Sequence, residues 1–313
     1  MQNDFLLIRS YGSGNALARV QSDPITDGLA ELGQSVRKLV YTPGSSIDVS
    51  TPKYLLVSYD DNDALLRAQA LKRRTNCKVI CLGSDIYYLD RYAAIAEITD
   101  LFVMPTEAHK EVLESVVWEK VIVIPEAVDS IALGEPGNER PVERNNQICW
   151  FGYPESFHKA FKYIFDKALA RSGIPKSQFA FITSTSIVEG MRHLHFHEKS
   201  FYAMTQQFGY TLLSHFAFDC HINSFAKSPN KLITSLVRGM MPLASRTRNY
   251  EDVMRHYNLE ALMFSNGNDL VNLLRNLDAD RDNSRYDLKA ISLDLQERFS
   301  ARNNAKLLLD ALN

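Results

Sequence analysis

Lys227-Ser228-Pro229-Asn230-Lys231, continued by Leu232-Ile233-Thr234-Ser235-Leu236-Val237-Arg238-Gly239 and closed by Met241-Pro242-Leu243-Ala244-Ser245, is the stretch on which the fold turns. Ser228 is a good N-cap and Pro229 suits the first helical position. Leu232, Ile233, Leu236 and Val237 share one face before Gly239 supplies a stop, so the pattern predicts a helix from Pro229 to about Arg238. Two lysines beside the positive end of a helix dipole are poorly placed, by a few tenths of a kcal/mol or more. A bound anion reverses that penalty: free backbone N–H groups, Lys227 and Lys231 then converge on one phosphate or diphosphate. A capped surface helix with solvated lysines is the competing reading.

Upstream of this segment, short β-type runs alternate with helical ones, as in a doubly wound α/β domain. The strand expectations are Phe5–Ile8, Ser35–Val40, Tyr54–Ser58, Lys78–Leu82, Leu101–Met104 and Val121–Ile124. The first leads into Tyr11-Gly12-Ser13-Gly14-Asn15, whose glycines let backbone N–H groups approach a ligand, although the third glycine of a dinucleotide fingerprint is absent. From Gly134-Glu135-Pro136-Gly137-Asn138 to Arg144-Asn145-Asn146 the chain turns polar and reads as an interdomain linker. A second α/β unit follows, with strands at Gln147–Phe151 and Phe179–Thr183, a helix from about Lys159 to Arg171, and further βα elements to Phe264. An amphipathic helical stretch from about Tyr286 to Leu312 ends the chain. The expected division is 1–138 and 139–313, two Rossmann-like domains facing across a cleft, the final helix crossing back to brace the first.

Composition narrows the partners. A chain of 313 residues has room for two cores, and its 45% hydrophobic and 23% charged content is that of a globular protein. A net charge of −2 argues against a nucleic-acid binder held by a basic surface. No run approaches the roughly 18 apolar residues of a membrane span, and Met1-Gln2-Asn3-Asp4 lacks a basic leader, so the expectation is a cytoplasmic protein. Cys77, Cys81, Cys149 and Cys220 form no paired motif, and the strand-like neighbours of Cys81 and Cys149 read these two as buried free thiols.

Two successive Rossmann-like halves, a glycine turn near the start and a basic helix start in the second half together resemble the GT-B glycosyltransferases, in particular the family 4-like, group 1 type that uses nucleotide-sugar donors. Cys81-Leu82-Gly83-Ser84-Asp85 is similar to the family's His-Gly-x-Asp strand end, with Leu82 in the histidine's place. Val123-Ile124-Pro125-Glu126-Ala127-Val128-Asp129 resembles its Ile-Pro-Asn-Gly-Val-Asp turn. Trp150-Phe151-Gly152-Tyr153 with Lys159 resembles the segment where a basic pair meets the diphosphate, Tyr153 standing for the arginine. Lys227 to Ser245 resembles the donor-phosphate helix, whereas the paired glutamates of many members would fall at Ala226 and Thr234.

The resemblance implies transfer of a sugar from a nucleoside-diphosphate sugar, such as a UDP- or GDP-sugar, to an acceptor hydroxyl on a glycan, lipid-linked molecule or protein. It further implies glycan or polysaccharide biosynthesis, retention of configuration, no metal, no cofactor, and room for peripheral membrane contact. Donor binding falls to Gly12, Gly14, Lys159, Lys227, Ser228, Asn230 and Lys231; catalysis to Asp85, Lys159 and Lys231. A catalytically silent nucleotide-sugar-binding subunit and a nicotinamide-dependent oxidoreductase are the alternatives. Asp61-Asn62-Asp63 spells the D-x-D of metal-dependent transferases but equally caps a helix. His193, His195 and His197 would share one strand face at metal-ligand reach, with a solvated or pocket-lining face as the other reading. Tyr153, Phe157 and His158 are candidates to line the donor pocket, or core.

Overall fold

The computed structural model describes residues 4–42, 51–86, 88–134, 145–157, 159–214, 225–278, 282 and 284–313, with the side chains of 159 and 160 outside the description. The chain divides into two compact units. The first takes in residues up to Ala127 together with Ala226–Ser228 and Glu297–Asn313; the second holds Val128–Phe225 and Pro229–Gln296. The expected boundary at residue 138 falls among residues 135–144, outside the described residues.

In the first unit, β1 (Phe5–Arg9), β2 (Val36–Val40), β3 (Tyr54–Ser58), β4 (Lys78–Leu82), β5 (Leu101–Met104) and β6 (Lys120–Val123) form a parallel sheet in the order β2-β1-β3-β4-β5-β6. Its inner strands β1, β3, β4 and β5 are near-continuous apolar runs because both faces are covered, whereas edge strand β2 exposes Arg37 and Lys38. Leu7, Leu56, Ile80 and Val103 pack on one face, and Leu6, Leu55, Val57 and Val79 on the other, as the two-residue period requires. The connecting helices are α1 (Asp23–Glu31), α2 (Asn62–Thr75), α3 (Leu89–Ala96) and α4 (Glu107–Leu113). Ile25 and Leu29 of α1 share the first face with Ala305 and Leu308, which belong to the last helix of the chain. At their crossing a Cβ on Gly28 would overlap the Ala301 carbonyl, so only glycine admits the approach.

The second unit is also a six-stranded parallel sheet, with a different strand order. Strands β7 (Ile148–Phe151), β8 (Phe179–Thr183), β9 (Arg192–His195), β10 (Tyr210–Leu213), β11 (Met241–Ser245) and β12 (Met263–Phe264) form a parallel sheet ordered β12-β11-β10-β7-β8-β9. Helices α5 (Lys159–Ser172), α6 (Glu198–Thr205), α7 (Asn230–Val237), α8 (Arg248–His256), α9 (Gly267–Arg275), α10 (Leu288–Arg298) and α11 (Ala301–Leu312) complete the order, α11 lying in the first unit. Phe157 is core, set edge-on against Trp150, Phe165 and Phe181, which assigns it to packing. Tyr153 is largely exposed, and His158 lies outside the described residues.

The decisive helix starts later than its sequence predicts. Pro229 occupies the N-cap position with φ −77° and ψ 16°, no side chain caps the helix, and α7 begins at Asn230. Ser228 is not the N-cap: its hydroxyl donates to Glu126 Oε2 at 2.6 Å. A carboxylate acceptor outcompetes a backbone N–H that would ask the same oxygen to accept.

Candidate functional site

Parallel α/β sheets bind ligands beyond the carboxyl ends of their strands, at the point where strand order reverses. In the second unit the chain runs outward through β7, β8 and β9 and then returns to place β10 on the other flank of β7, so the reversal lies between β7 and β10. Trp150, at the end of β7, is buried and donates its indole N–H to Ser214 Oγ just beyond β10 at 3.0 Å. Lys231, in the first turn of α7, sets its ammonium 5.0 Å from the Trp150 ring centroid. That ammonium also covers Gly152: a methyl on Gly152 would overlap Lys231 Nζ, and the backbone there sits at φ +150°. A cation, an aromatic wall, a side-chain-free strand end and a helix N-terminus are thus brought together at one topological point.

Thr183 closes β8, next to β7, and its fully buried hydroxyl has no hydrogen-bond partner among the described residues. Its carbonyl receives the His193 Nε2–H at 2.9 Å. His193 and His195 lie on edge strand β9, while His197 precedes α6 at its N-cap position. Among the described residues no three His, Cys, Asp or Glu side chains are placed to hold a metal ion. Asn230 and Lys231 stand together on the first turn of α7, and the Lys159 side chain, at the start of α5, lies outside the described residues.

The first unit has its own reversal, between β1 and β3, and fills it differently. Arg9, at the end of β1, is buried; it donates to Ser22 Oγ (3.1 Å) and Ser13 Oγ (3.0 Å) and pairs with Asp23 at 2.9 Å. Burial raises the Asp23 carboxyl, but Arg9 and Lys38 outweigh it and hold the group below its ordinary range. A π-type turn, Ala18–Ser22, separates the glycine loop from α1 and carries Ser22 to this guanidinium. Asp61, just past β3, is buried and accepts from Ser10 N (2.6 Å), the Tyr41 hydroxyl (2.9 Å) and Ala64 N (3.0 Å). It is the N-cap of α2, so this residue of the D-x-D spelling caps a helix. The Gly12–Asn15 turn is exposed, with Asn15 N bonded to the Gly12 carbonyl at 3.1 Å. Burial pushes the Tyr11 phenol up to about 12.

Asp85 follows β4, and its two carboxylate oxygens accept from Lys227 Nζ at 2.9 and 3.1 Å. Lys227 and Ser228 are therefore engaged by carboxylates of the first unit, whereas Lys231 stands against the strand end of the second. Lys227 pairs with Asp85, and Lys231 lies against Trp150 and Gly152. Ser214 and Thr183 escaped notice in the sequence; the available signal was a hydroxyl residue closing a buried strand. Burial pushes the Cys149 thiol up to about 12 and Cys81 further still, which leaves both inert, while Cys220 lies outside the described residues.

Two Rossmann-like units with these parallel sheets define a GT-B fold, and solved structures of glycosyltransferases share it. No family model matches the chain, and no curated protein matches it. Anabaena Alr3699/HepE, solved with UDP and glucose, superposes with a TM-score of 0.66 at 10% identity, covering 98% of each chain. The lipopolysaccharide outer core galactosyltransferase WaaB in its apo form gives 0.61 at 13% identity over 100% of this chain and 99% of that one. The DNA-modifying β-glucosyltransferase, studied with and without uridine diphosphoglucose, gives 0.62 at 12% identity over 98% of each. At such identity the likeness is one of fold. No helix among the described residues is long and apolar enough to cross a membrane.

Proposed function

We propose that this protein is a glycosyltransferase that takes its sugar from a nucleoside-diphosphate donor held at the β7/β10 reversal of the second unit. The observation that carries the reading is Lys231, fixed between the Trp150 ring and the bare backbone of Gly152 at the first turn of α7. A diphosphate there meets the ammonium and the N–H groups of the helix start. The Thr183 hydroxyl at the end of the adjacent strand β8, which has no hydrogen-bond partner among the described residues, offers one more polar contact. Structural neighbours such as HepE, solved with UDP and with UDP-glucose, support a uridine nucleotide as the first donor to test.

The chemistry asked of the chain is electrostatic. As the bond from the anomeric carbon to the diphosphate oxygen breaks, negative charge grows on the leaving group; Lys231, with Lys159 as the proposed second cation, stabilises it. The acceptor oxygen forms the new bond and yields its proton, for which Asp85 is the proposed recipient. Retention of configuration and metal independence belong to the same proposal, because two lysines and a helix N-terminus can neutralise the diphosphate. Glycans, lipid-linked molecules or proteins carry the acceptor hydroxyl.

A thermal-shift panel of nucleoside diphosphates, followed by turnover of the matching donor sugar with and without EDTA, tests this. Stabilisation by one diphosphate and EDTA-resistant turnover are expected; turnover that EDTA abolishes and manganese restores contradicts the metal-independent part. The Lys227–Asp85 ion pair favours one second reading, a subunit that binds the donor without transferring it. Diphosphate stabilisation with no turnover across acceptors would select that reading.

A further inference from the structure

Three consecutive residues, Ala226 to Ser228, lie across the carboxyl edge of the first unit's sheet and touch the segments that follow three of its strands. The Ala226 carbonyl accepts from Thr106 Oγ1, beyond β5, at 3.0 Å. Lys227 Nζ reaches both oxygens of Asp85, beyond β4, at 2.9 and 3.1 Å. Ser228 donates to Glu126, beyond β6, at 2.6 Å. Ala226 is fully buried and Ser228 nearly so, which marks the segment as part of the unit rather than a loop lying on it. These contacts span 102 to 142 residues of sequence, and each includes a charged or hydrogen-bonded group of the edge where ligands bind.

We propose that Lys227 is a positioning residue for Asp85, and that Ala226–Ser228 is a strap completing the acceptor side of the reaction, not part of the donor-phosphate site. The inference rests on the donor site proposed above, to which it leaves Lys231 and Asn230. A bidentate arrangement of one ammonium on two carboxylate oxygens fixes the orientation of the carboxylate, while the Ser228–Glu126 bond and the Thr106–Ala226 bond hold the lysine's own backbone. Loss of the ammonium leaves the half-buried Asp85 carboxylate without its orienting cation. The donor site, built on β7, β10 and α7, stays intact.

The test is a split between binding and turnover. UDP is titrated calorimetrically, and UDP-glucose turnover is measured, for wild type, Lys227→Met, Lys227→Arg, Asp85→Asn and Lys231→Met. Lys227→Met and Asp85→Asn are expected to keep UDP affinity and donor KM within about twofold while kcat falls about tenfold or more, the signature of an interaction used after donor binding. Lys227→Arg, which keeps the charge and can face a carboxylate with two N–H groups, is expected to recover most of the lost kcat. Lys231→Met loses UDP affinity instead. Lys227→Met weakening UDP as Lys231→Met does, or retaining wild-type kcat, overturns the strap assignment alone. Wild-type protein that binds no UDP or fails to turn over UDP-glucose overturns it together with the donor reading on which it rests.

Discussion

The two units are both six-stranded, doubly wound parallel sheets, but their strand orders differ, and so do the side chains set at the strand-order reversal. Between β1 and β3 the first unit carries its own anion: Asp61 occupies the place beside the glycine turn, taking the Ser10 N–H, the Tyr41 hydroxyl and the α2 cap. Between β7 and β10 the second unit carries a cation, Lys231, beside a glycine and a buried indole, and neighbouring β8 ends on a buried hydroxyl with no hydrogen-bond partner among the described residues. At the first reversal the charges are paired within the unit, Arg9 with Asp23 and Asp61 with three donors; at the second, the proposed donor site, the cation lies against an aromatic ring. Two related α/β sheets thus carry different side chains at their reversal points, β1/β3 in one and β7/β10 in the other.

Substitutions at the two reversal points can break the comparison. Asp61→Ala removes a cap and strands a buried hydroxyl and a buried N–H, an expected loss of about 3 kcal/mol. Denaturant unfolding should show that loss while UDP affinity stays at the wild-type value, and a fall in affinity would mean that the first reversal also takes the nucleotide. Gly152→Val acts in the opposite sense. Its side chain displaces Lys231 Nζ and strains the backbone at φ +150°, so UDP affinity should fall about tenfold, or about 1.4 kcal/mol.

Acid sharpens the contrast further. Because Asp23 is held below its ordinary value in the folded chain, the stability it contributes is complete above about pH 4, the unfolded value, and is lost as pH falls through the folded one. Thermal melts from pH 7 to pH 3 should show wild type converging on Asp23→Asn at the acid end; a constant gap would exclude the Arg9–Asp23 linkage. The smallest effect is expected of Gly12→Ala. Nothing lies within 4 Å of the added carbon, so stability should change by less than about 0.5 kcal/mol, and any larger change in turnover would report on ligand contact at the glycine turn.

These differences divide what is legible in the sequence from what is not. Tyr54–Ser58, Lys78–Leu82, Leu101–Met104 and Phe179–Thr183 have the limits their apolar runs predict, since strands buried on both faces are bounded wherever polarity resumes. The Asp61 cap was one of two readings, separated only when Ala64 N was seen to donate to it. Lys227 and Lys231 read together because both stand beside the N-terminus of the helix expected from Pro229, where one bound anion would meet them. Pro229 delays the helix, and the partner of Lys227 lies 142 residues away, so neither pattern nor spacing could reveal the ion pair. The importance of Gly152 also depends on a distant side chain, the ammonium that rests on it.

Calorimetric titration of UDP into wild-type and Lys231→Met protein tests the claim that the second unit's reversal is the nucleotide site most directly. Removing one oriented cation from a diphosphate should weaken binding about 100-fold, equivalent to about 2.7 kcal/mol, with the variant's melting temperature in the absence of nucleotide close to wild type. Equal affinity in the two proteins, or no detectable binding of UDP by the wild type, would contradict it.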